Sequence, residues 1–219
     1  MKSRKPRKAK SEFDINEILK KHGTVKLDLA CGQNKNPGFI GMDVLPYPGV
    51  DIVHNALVFP WPIPDNSVDM IIASHFLEHV PGFGVDPRLI GLIDLLLAKK
   101  VISKKDIAKF IGEYHIFSNW ISLFDEMWRV LKVGGQLAFA VPYWQSLGFS
   151  QDPTHVKEIS EASLLYFDPE HYSGLWNFYK PKPWKIEMQS FSTVGNLEAI
   201  ISKRDIKPYE KQINAHLKA

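Results

Sequence analysis

The chain has 219 residues, of which 45% are hydrophobic, a length and composition that suit one globular α/β domain with additions. It has no apolar run near the ~18 residues of a transmembrane helix, and its charged N-terminus lacks the apolar segment of a signal peptide. Cys31 is its one cysteine, which excludes an intrachain disulfide, and we expect a reducing, cytoplasmic location.

The net charge of +3 comes from the N-terminus, because residues 1–10 hold six of the 27 basic side chains and no acid. The remaining 21 basic residues are outnumbered by the 24 acidic ones, so the rest of the chain is mildly acidic. We predict a disordered, solubilising tail over residues 1–10, followed by a single domain over residues 11–219. Contact of the tail with nucleic-acid phosphates is the alternative.

The sequence of the first half of the domain predicts strands that follow one another closely along the chain. Apolar periodicity over residues 12–21 indicates a short helix, and Val25–Leu29 follows it as the first strand. The second strand, Phe39–Val44, begins after only about ten residues, fewer than a helical crossover usually needs. We therefore expect a turn in place of the first helix. A third strand is predicted at Val50–His54.

A fourth strand is predicted at Val68–Ala73, a continuous apolar run that is typical of a strand buried on both faces. It ends at Ser74-His75, where we expect a helix to begin. Two helical stretches within residues 84–118 are interpreted as an insertion, and an amphipathic helix is predicted at Asn119–Leu131.

The sequence of the C-terminal part predicts the strands at the other edge of the sheet. Gly134-Gly135 closes the amphipathic helix, and Gln136–Val141 follows as the fifth strand. The apolar runs 184–193 and 197–203 are separated by Gly195-Asn196, which indicates a hairpin. They would form an antiparallel pair at the end of the sheet.

Two acids and a small-residue turn mark the candidate ligand site. The first strand contains Asp28, the turn after it is Ala30-Cys31-Gly32, and the second strand ends at Asp43. Parallel sheets bind nucleoside-like ligands at the carboxyl ends of their strands. Gly32 allows close backbone approach, and Asp43 is placed to accept hydrogen bonds from a ribose diol. Plain turn capping by these aspartates is the alternative.

Three segments in this order resemble class I S-adenosylmethionine-dependent methyltransferases, specifically a type 11-like subgroup with a reduced first helix: LDLACG, SVDMIIASHFLEHV and EMWRVLKVGGQLAFAVP. The similarity covers roughly residues 24–142, and residues 184–203 by topology. It implies a Rossmann-like α/β fold, with a seven-stranded, mostly parallel sheet and an antiparallel terminal hairpin. It also implies S-adenosylmethionine as the cofactor.

The resemblance also implies roles for single residues around the cofactor. Asp28 and the backbone of Ala30, Cys31 and Gly32 would contact its methionine part, and Asp43 would contact its ribose. Asn55 and Ala56 would lie beside its adenine, and Ser74 and His75 beside its sulfonium. Two positions depart from the family pattern. Ala30 replaces the first motif glycine, and His54-Asn55 stands where relatives often have Asp beside the adenine amine.

Three residues are candidates for catalysis. His75 is the first candidate general base because it follows the fourth strand, and His155 in QDPTHV is the second. For both, a hydrogen-bonding role in a turn or loop remains an equal alternative. Tyr143 ends the fifth strand at the cleft. It opens a region, residues 143–184, that holds ten of the 26 aromatic residues, which we interpret partly as core and partly as a lid over a flat or sugar-like acceptor.

The predicted function is methyl transfer to a small polar metabolite or sugar-like acceptor, with no membrane partner. Nucleic acid, contacted through the basic tail and the aromatics, is the alternative acceptor. His75–His79 also spells H-x-x-E-H, the motif of a class of zinc peptidases when it lies on a helix, although we expect no metal. A non-catalytic cofactor-binding protein is a further alternative.

Overall fold

The computed structural model describes residues 23–82, 95–103 and 119–216, and its centre is a seven-stranded sheet. The strand order is β3-β2-β1-β4-β5-β7-β6, in which β1 to β5 are mutually parallel and β7 is antiparallel to both its neighbours. This confirms the predicted fold class. The strands are β1 (Lys26–Leu29), β2 (Ile40–Asp43), β3 (Ile52–Val53), β4 (Val68–Ser74), β5 (Leu131–Pro142), β6 (Trp184–Phe191) and β7 (Asn196–Lys203).

The connection between β1 and β2 contains turns and no helix, as its short length predicted. The two strands pair in parallel, with Leu27 opposite Ile40 and Leu29 opposite Met42. The loop crosses from the end of one strand to the start of the next. Its compactness brings the exit of β1 close to the exit of β2.

Helix α1 (Asn119–Val130) covers one face of the sheet, and its buried residues recur at helical spacing. Phe124 lies at the centre of this face. Its ring is 6.5 Å from that of Phe139 on β5 and stacks at 4.4 Å on that of Phe167. The amphipathic pattern predicted this helix because its apolar stripe matches the inward side chains of the strands.

Strand β5 begins earlier than predicted. Leu131 pairs with Val68, and pairing resumes at Gln136 with Met70, so the intervening residues bulge out of the ladder. Gly134 occupies the left-handed region there, with φ of 80°. The Gly-Gly signal therefore marks a bulge within the strand instead of the link between helix and strand.

The expected helix after β4 is wrong in its extent, because residues 75–82, the described residues that follow that strand directly, contain only a three-residue 3-10 turn at Leu77–His79. The other helices of the described residues are short: residues 95–98, α2 (Leu147–Ser150), α3 (Glu210–His216) and the 3-10 helices Glu161–Tyr166 and Leu175–Phe178. None of the described helices is long and apolar enough to cross a bilayer. The basic tail, the predicted helix at 12–21 and most of the insertion at 84–118 lie outside the described residues.

The aromatic-rich region divides between core and surface. Phe167, Trp176 and Trp184 are buried, whereas Tyr172 and Phe178 are exposed. Trp184 pairs with Lys203 at the amino ends of the parallel strands, far from their carboxyl ends. The first aromatics of the region lie instead at the carboxyl edge, where the candidate site is.

Candidate functional site

The sheet has its topological switch point between β1 and β4. The chain continues from β1 to β2 and β3 on one side and returns to build β4 and β5 on the other. Leu29 pairs with Ala73, so both strands end at the same level. Loops that leave such neighbours in opposite directions open a crevice, which is where open α/β sheets bind ligands.

Both strands at the switch point end in a left-handed residue that is not glycine. Ala30 follows β1 with φ of 54°, and His75 follows β4 with φ of 51°. This conformation is uncommon for residues with a Cβ and costs on the order of 1–2 kcal/mol. Such strain is concentrated at functional sites. Each chain segment thereby turns sharply at the end of its strand.

The turn after β1 is held against the end of β2 by Asp43. Its two carboxylate oxygens each accept a backbone N–H at 2.9 Å, from Gly32 and from Leu45. Cys31 also donates its N–H to the Met42 carbonyl, at 3.3 Å. A carboxylate oxygen has lone pairs for a second donor, so Asp43 keeps acceptor capacity toward the crevice.

Cys31 is not suited to act as a nucleophile. Burial, together with the charges of Asp28 and Asp43, raises the pKa of its thiol to about 11. The thiol therefore stays protonated near neutral pH, and reactivity requires the thiolate. Cys31 contributes backbone to the predicted cofactor turn.

Asp28 is buried in β1 and fixes the rest of the connecting loop. Its Oδ2 accepts hydrogen bonds from the backbone N–H of Asn36 at 2.7 Å and from the Asn36 side-chain amide at 3.0 Å. Asn36 carries no motif, so sequence reasoning did not identify it as the partner. Asp28 thus fixes the conformation of the loop between β1 and β2 beside the turn.

The predicted adenine contacts lie at the exit of β3. Asn55 is exposed and uses its Oδ1 to accept the N–H of Leu57, at 2.9 Å. Ala56 is buried, and its carbonyl accepts the indole N–H of Trp61 at 3.0 Å. Asn55 therefore caps a turn at this position, whatever its role toward a ligand.

The exit of β4 presents Ser74 and His75, both exposed. The backbone N–H of His75 donates to the Ala140 carbonyl at 2.8 Å, which anchors the turn to β5. Its imidazole lies between two side chains, with Nδ1 3.4 Å from Glu78 Oε1 and Nε2 3.3 Å from Asn196 Nδ2. The ring is therefore positioned, yet about half of its side chain (49%) remains accessible.

The imidazole of His155 approaches the same carboxylate, that of Glu78. Its Nε2 is 3.9 Å from Glu78 Oε1, and its side chain is almost fully buried. The two histidines that the sequence suggested as separate bases thus converge on one buried acid. Sequence reasoning did not place Glu78 in the site, although the H-x-x-E-H pattern contained the signal.

The zinc-peptidase interpretation of that pattern required His75 and His79 on one helix face. Instead, His75 is in the left-handed region and only Leu77–His79 form a 3-10 turn. The predicted helical geometry of the motif is therefore wrong. Glu78 and His79 instead approach His155, which lies in a distant loop.

Tyr143 begins an aromatic group at the carboxyl ends of β5 and β6. Its ring lies edge-to-face at 5.0 Å from Phe191 and at 6.1 Å from Trp144. Trp144 and Phe191 are exposed, and the backbone N–H of Tyr143 donates to the Gly195 carbonyl. Flat apolar surface is thereby available at the edge that carries the crevice.

Comparison with known proteins shows solved structures of similar topology but little sequence similarity. No family model and no curated protein matches the chain. An S-adenosylmethionine-dependent methyltransferase from Archaeoglobus fulgidus is 17% identical, with 86% of this chain and 93% of that chain covered and a TM-score of 0.46. The N-methyltransferase NodS from Bradyrhizobium japonicum is 12% identical, covering 87% and 94%, with a TM-score of 0.44.

A third such structure is a 16S rRNA (adenine(1408)-N(1))-methyltransferase from Catenulisporales acidiphilia with S-adenosylmethionine. It is 11% identical, with 89% of this chain and 93% of that chain covered and a TM-score of 0.45. These three structures are methyltransferases, and a [4+2]-cyclase is also among the similar solved structures. At such identities an activity has to be argued from the residues of the site, because fold alone does not fix function.

Proposed function

We propose that this chain binds S-adenosylmethionine at the β1/β4 switch point and transfers its methyl group to a small polar or sugar-like acceptor. The observation that carries the proposal is Asp43, which ends β2 and is fixed by two backbone N–H groups beside the turn at Gly32. A carboxylate held in this way is preorganised to accept hydrogen bonds from the vicinal hydroxyls of a ribose.

The crevice suits a nucleoside without a pyrophosphate. Its turn contains the single glycine Gly32, and the loop that follows has no helix whose N-terminus would bind phosphates. Asp28 and Asp43 add negative charge at the turn. That charge opposes an anionic ligand and favours the cationic sulfonium and ammonium groups of S-adenosylmethionine.

For methyl transfer, the protein mainly has to align the acceptor atom with the methyl group. The sulfonium makes the methyl group electrophilic, so the acceptor atom has to lie behind it in line with the breaking bond. His75 sits at the exit of β4, where it is accessible and oriented by Glu78 and Asn196. It is our candidate general base for an acceptor hydroxyl.

The aromatic group of Tyr143, Trp144 and Phe191 supports a flat or sugar-like acceptor, because such rings stack on apolar faces of both. A nucleic-acid acceptor is the second candidate. The basic composition of residues 1–10 favours it, together with these exposed rings. Deleting residues 1–10 and measuring RNA and DNA binding separates the two, since only a nucleic-acid enzyme loses its acceptor affinity with the tail.

Calorimetry with S-adenosylmethionine and S-adenosylhomocysteine tests the cofactor assignment. We expect Asp43→Ala to weaken both by at least about tenfold, the effect of losing a hydrogen bond to a charged group. Asp51→Ala is the matched control. Asp51 also accepts a β2 backbone N–H, from Gly41 at 2.8 Å, and pairs with Lys35, but it lies at the amino end of β3.

We expect Asp51→Ala to bind both ligands within about threefold of the wild type, since Asp51 precedes its strand and does not follow it at the carboxyl end. Thermal unfolding of the two variants shows whether each is folded. Failure of the folded wild-type protein to bind either ligand would refute the proposal, as would equal affinities of the two variants.

A further inference from the structure

A buried carboxylate and two histidines form a cluster beside the β4 exit that methyl transfer does not by itself require. Glu78 is fully buried, and neither of its side-chain oxygens accepts a hydrogen bond from any described residue. Its backbone carbonyl accepts the N–H groups of Val156 and Lys157, each at 2.9 Å, which clamps the β4 exit to the 150–157 loop. Burial without a donor costs a carboxylate several kcal/mol.

The tautomer of His155 follows from its partner. Its Nδ1 is 3.0 Å from the carbonyl oxygen of Phe149, which can only accept a hydrogen bond, so Nδ1 carries a proton. In the neutral ring, Nε2 then has a lone pair and faces Glu78 Oε1 at 3.9 Å. Two acceptors that face each other repel unless a proton or a metal ion lies between them.

His79 is oriented in the same way. Its Nδ1 is 3.2 Å from the Thr154 carbonyl and 3.1 Å from Thr154 Oγ1. The hydroxyl gives its own proton to Asp152 Oδ1 at 2.7 Å, so both Thr154 oxygens accept from His79. The Nε2 of His79 is therefore also left with its lone pair.

We infer that Glu78, His79 and His155 bind one divalent transition-metal ion of the zinc type. One ligand atom from each of the three lies within 4.8 Å of the others, and the two rings meet edge-to-face with centroids 4.8 Å apart. Two imidazoles and one carboxylate are a donor set that Zn²⁺ takes in three-ligand sites.

The surroundings of the cluster resemble those of metal-binding histidines, whose second nitrogen usually donates to a carbonyl or carboxylate. Here both second nitrogens donate to backbone carbonyls, of Phe149 and Thr154. Ligands at ~2.1 Å from one ion are at most about 4.2 Å apart, so the widest pair closes slightly on binding. A cation also supplies the compensation that the buried Glu78 carboxylate lacks.

The site lies next to the proposed methyl-transfer crevice. His75 Nδ1 is 3.4 Å from the same Glu78 oxygen, so the candidate base and the metal site share this carboxylate. A three-ligand site keeps a fourth position for water or an acceptor oxygen. That role rests on the proposed function, whereas binding of the ion itself does not.

Metal titration of the untagged full-length protein tests the site. After chelator treatment and dialysis, we expect Zn²⁺ calorimetry to show about one ion per chain and Co²⁺ to give the visible absorption of a low-symmetry site. Glu78→Gln and His155→Ala should each weaken Zn²⁺ binding by at least about 100-fold. They should also abolish the rise in Tm that Zn²⁺ gives the wild type.

His171→Ala is the matched control, because His171 lies outside the cluster and hydrogen-bonds Ser173. It should bind Zn²⁺ as the wild type does. Absence of saturable binding to the wild type would refute the site. Unchanged affinity in the folded Glu78→Gln variant would also refute it. Binding of S-adenosylmethionine is measured separately, so failure of either proposal is visible by itself.

Discussion

Two buried carboxylates near the same edge of the sheet, Asp28 and Glu78, differ in what surrounds them. Asp28 accepts two hydrogen bonds from Asn36, whereas Glu78 accepts none from the described residues. The first carboxylate is satisfied by its own loop and shapes it. The second is held in place by its backbone, and one of its oxygens lies near two histidine nitrogens without accepting a hydrogen bond from either. A buried acid is thus hydrogen-bonded within its own loop in one region and has no hydrogen-bond donor among the described residues in the other.

The largest expected effect is the contrast between removing these two acids. Asp28→Ala removes the two hydrogen bonds that Asn36 makes to this buried carboxylate, and we expect it to lower the free energy of unfolding by about 3 kcal/mol. In metal-free protein, Glu78→Gln removes a buried carboxyl group whose oxygens accept no hydrogen bond from the described residues, and it should cost nothing or add about 1 kcal/mol. Denaturant unfolding with chelator present measures both. An equal loss in the two variants would contradict the distinction.

An intermediate effect is expected at Asp125, a half-buried acid of α1 with one backbone donor, the N–H of Lys182 at 2.9 Å. Burial raises the pKa of Asp125 to about 6, against the lowering effect of that N–H. The folded pKa lies above the unfolded value of about 3.9. Its stabilising contribution is therefore complete below about pH 4 and is lost as the pH rises through about 6.

Asp125→Asn should abolish the loss of stability that the wild type shows as the pH rises through about 6. We expect the variant to be more stable than the wild type by about 2 kcal/mol at pH 7.5 and to differ little at pH 4, in thermal or denaturant unfolding. The control is Asp205→Asn, because Asp205 also accepts one backbone N–H, from Lys207, but is exposed. A pH-independent difference between Asp125→Asn and wild type would show that burial of the charge is not the cause.

The smallest expected effect concerns the strained turn on the Asp28 side. Ala30→Gly relieves a left-handed alanine, while Gly32→Ala creates one at φ of 54° without a steric contact within 4 Å. We expect a gain of about 1 kcal/mol for the first variant and a similar loss for the second in unfolding experiments. A loss in both would mean that Ala30 has a packing role that outweighs its backbone strain.

Much of the strand content was predictable, since it depends on local patterns. The apolar run of β4, the helical period of α1 and the Gly195-Asn196 turn each specify an element within a few residues. The helix expected after β4 was wrong because the turn at His75 leads into a single 3-10 turn, which also removed the helical basis of the zinc-peptidase interpretation. Element ends depend on such tertiary contacts, here the bond from His75 N–H to the Ala140 carbonyl.

The sequence by itself determined the order of the strands along the chain, the reduced first connection and the acids at the ends of β1 and β2, because each is a feature of adjacent residues. Only the tertiary structure decided that His75 and His155 approach one carboxylate, that Asn36 satisfies Asp28, and that Glu78 is buried without a donor from the part of the chain that the structure describes. These contacts join segments distant in the chain. Their partners are set by how the loops fold over the sheet edge, which residue spacing does not encode.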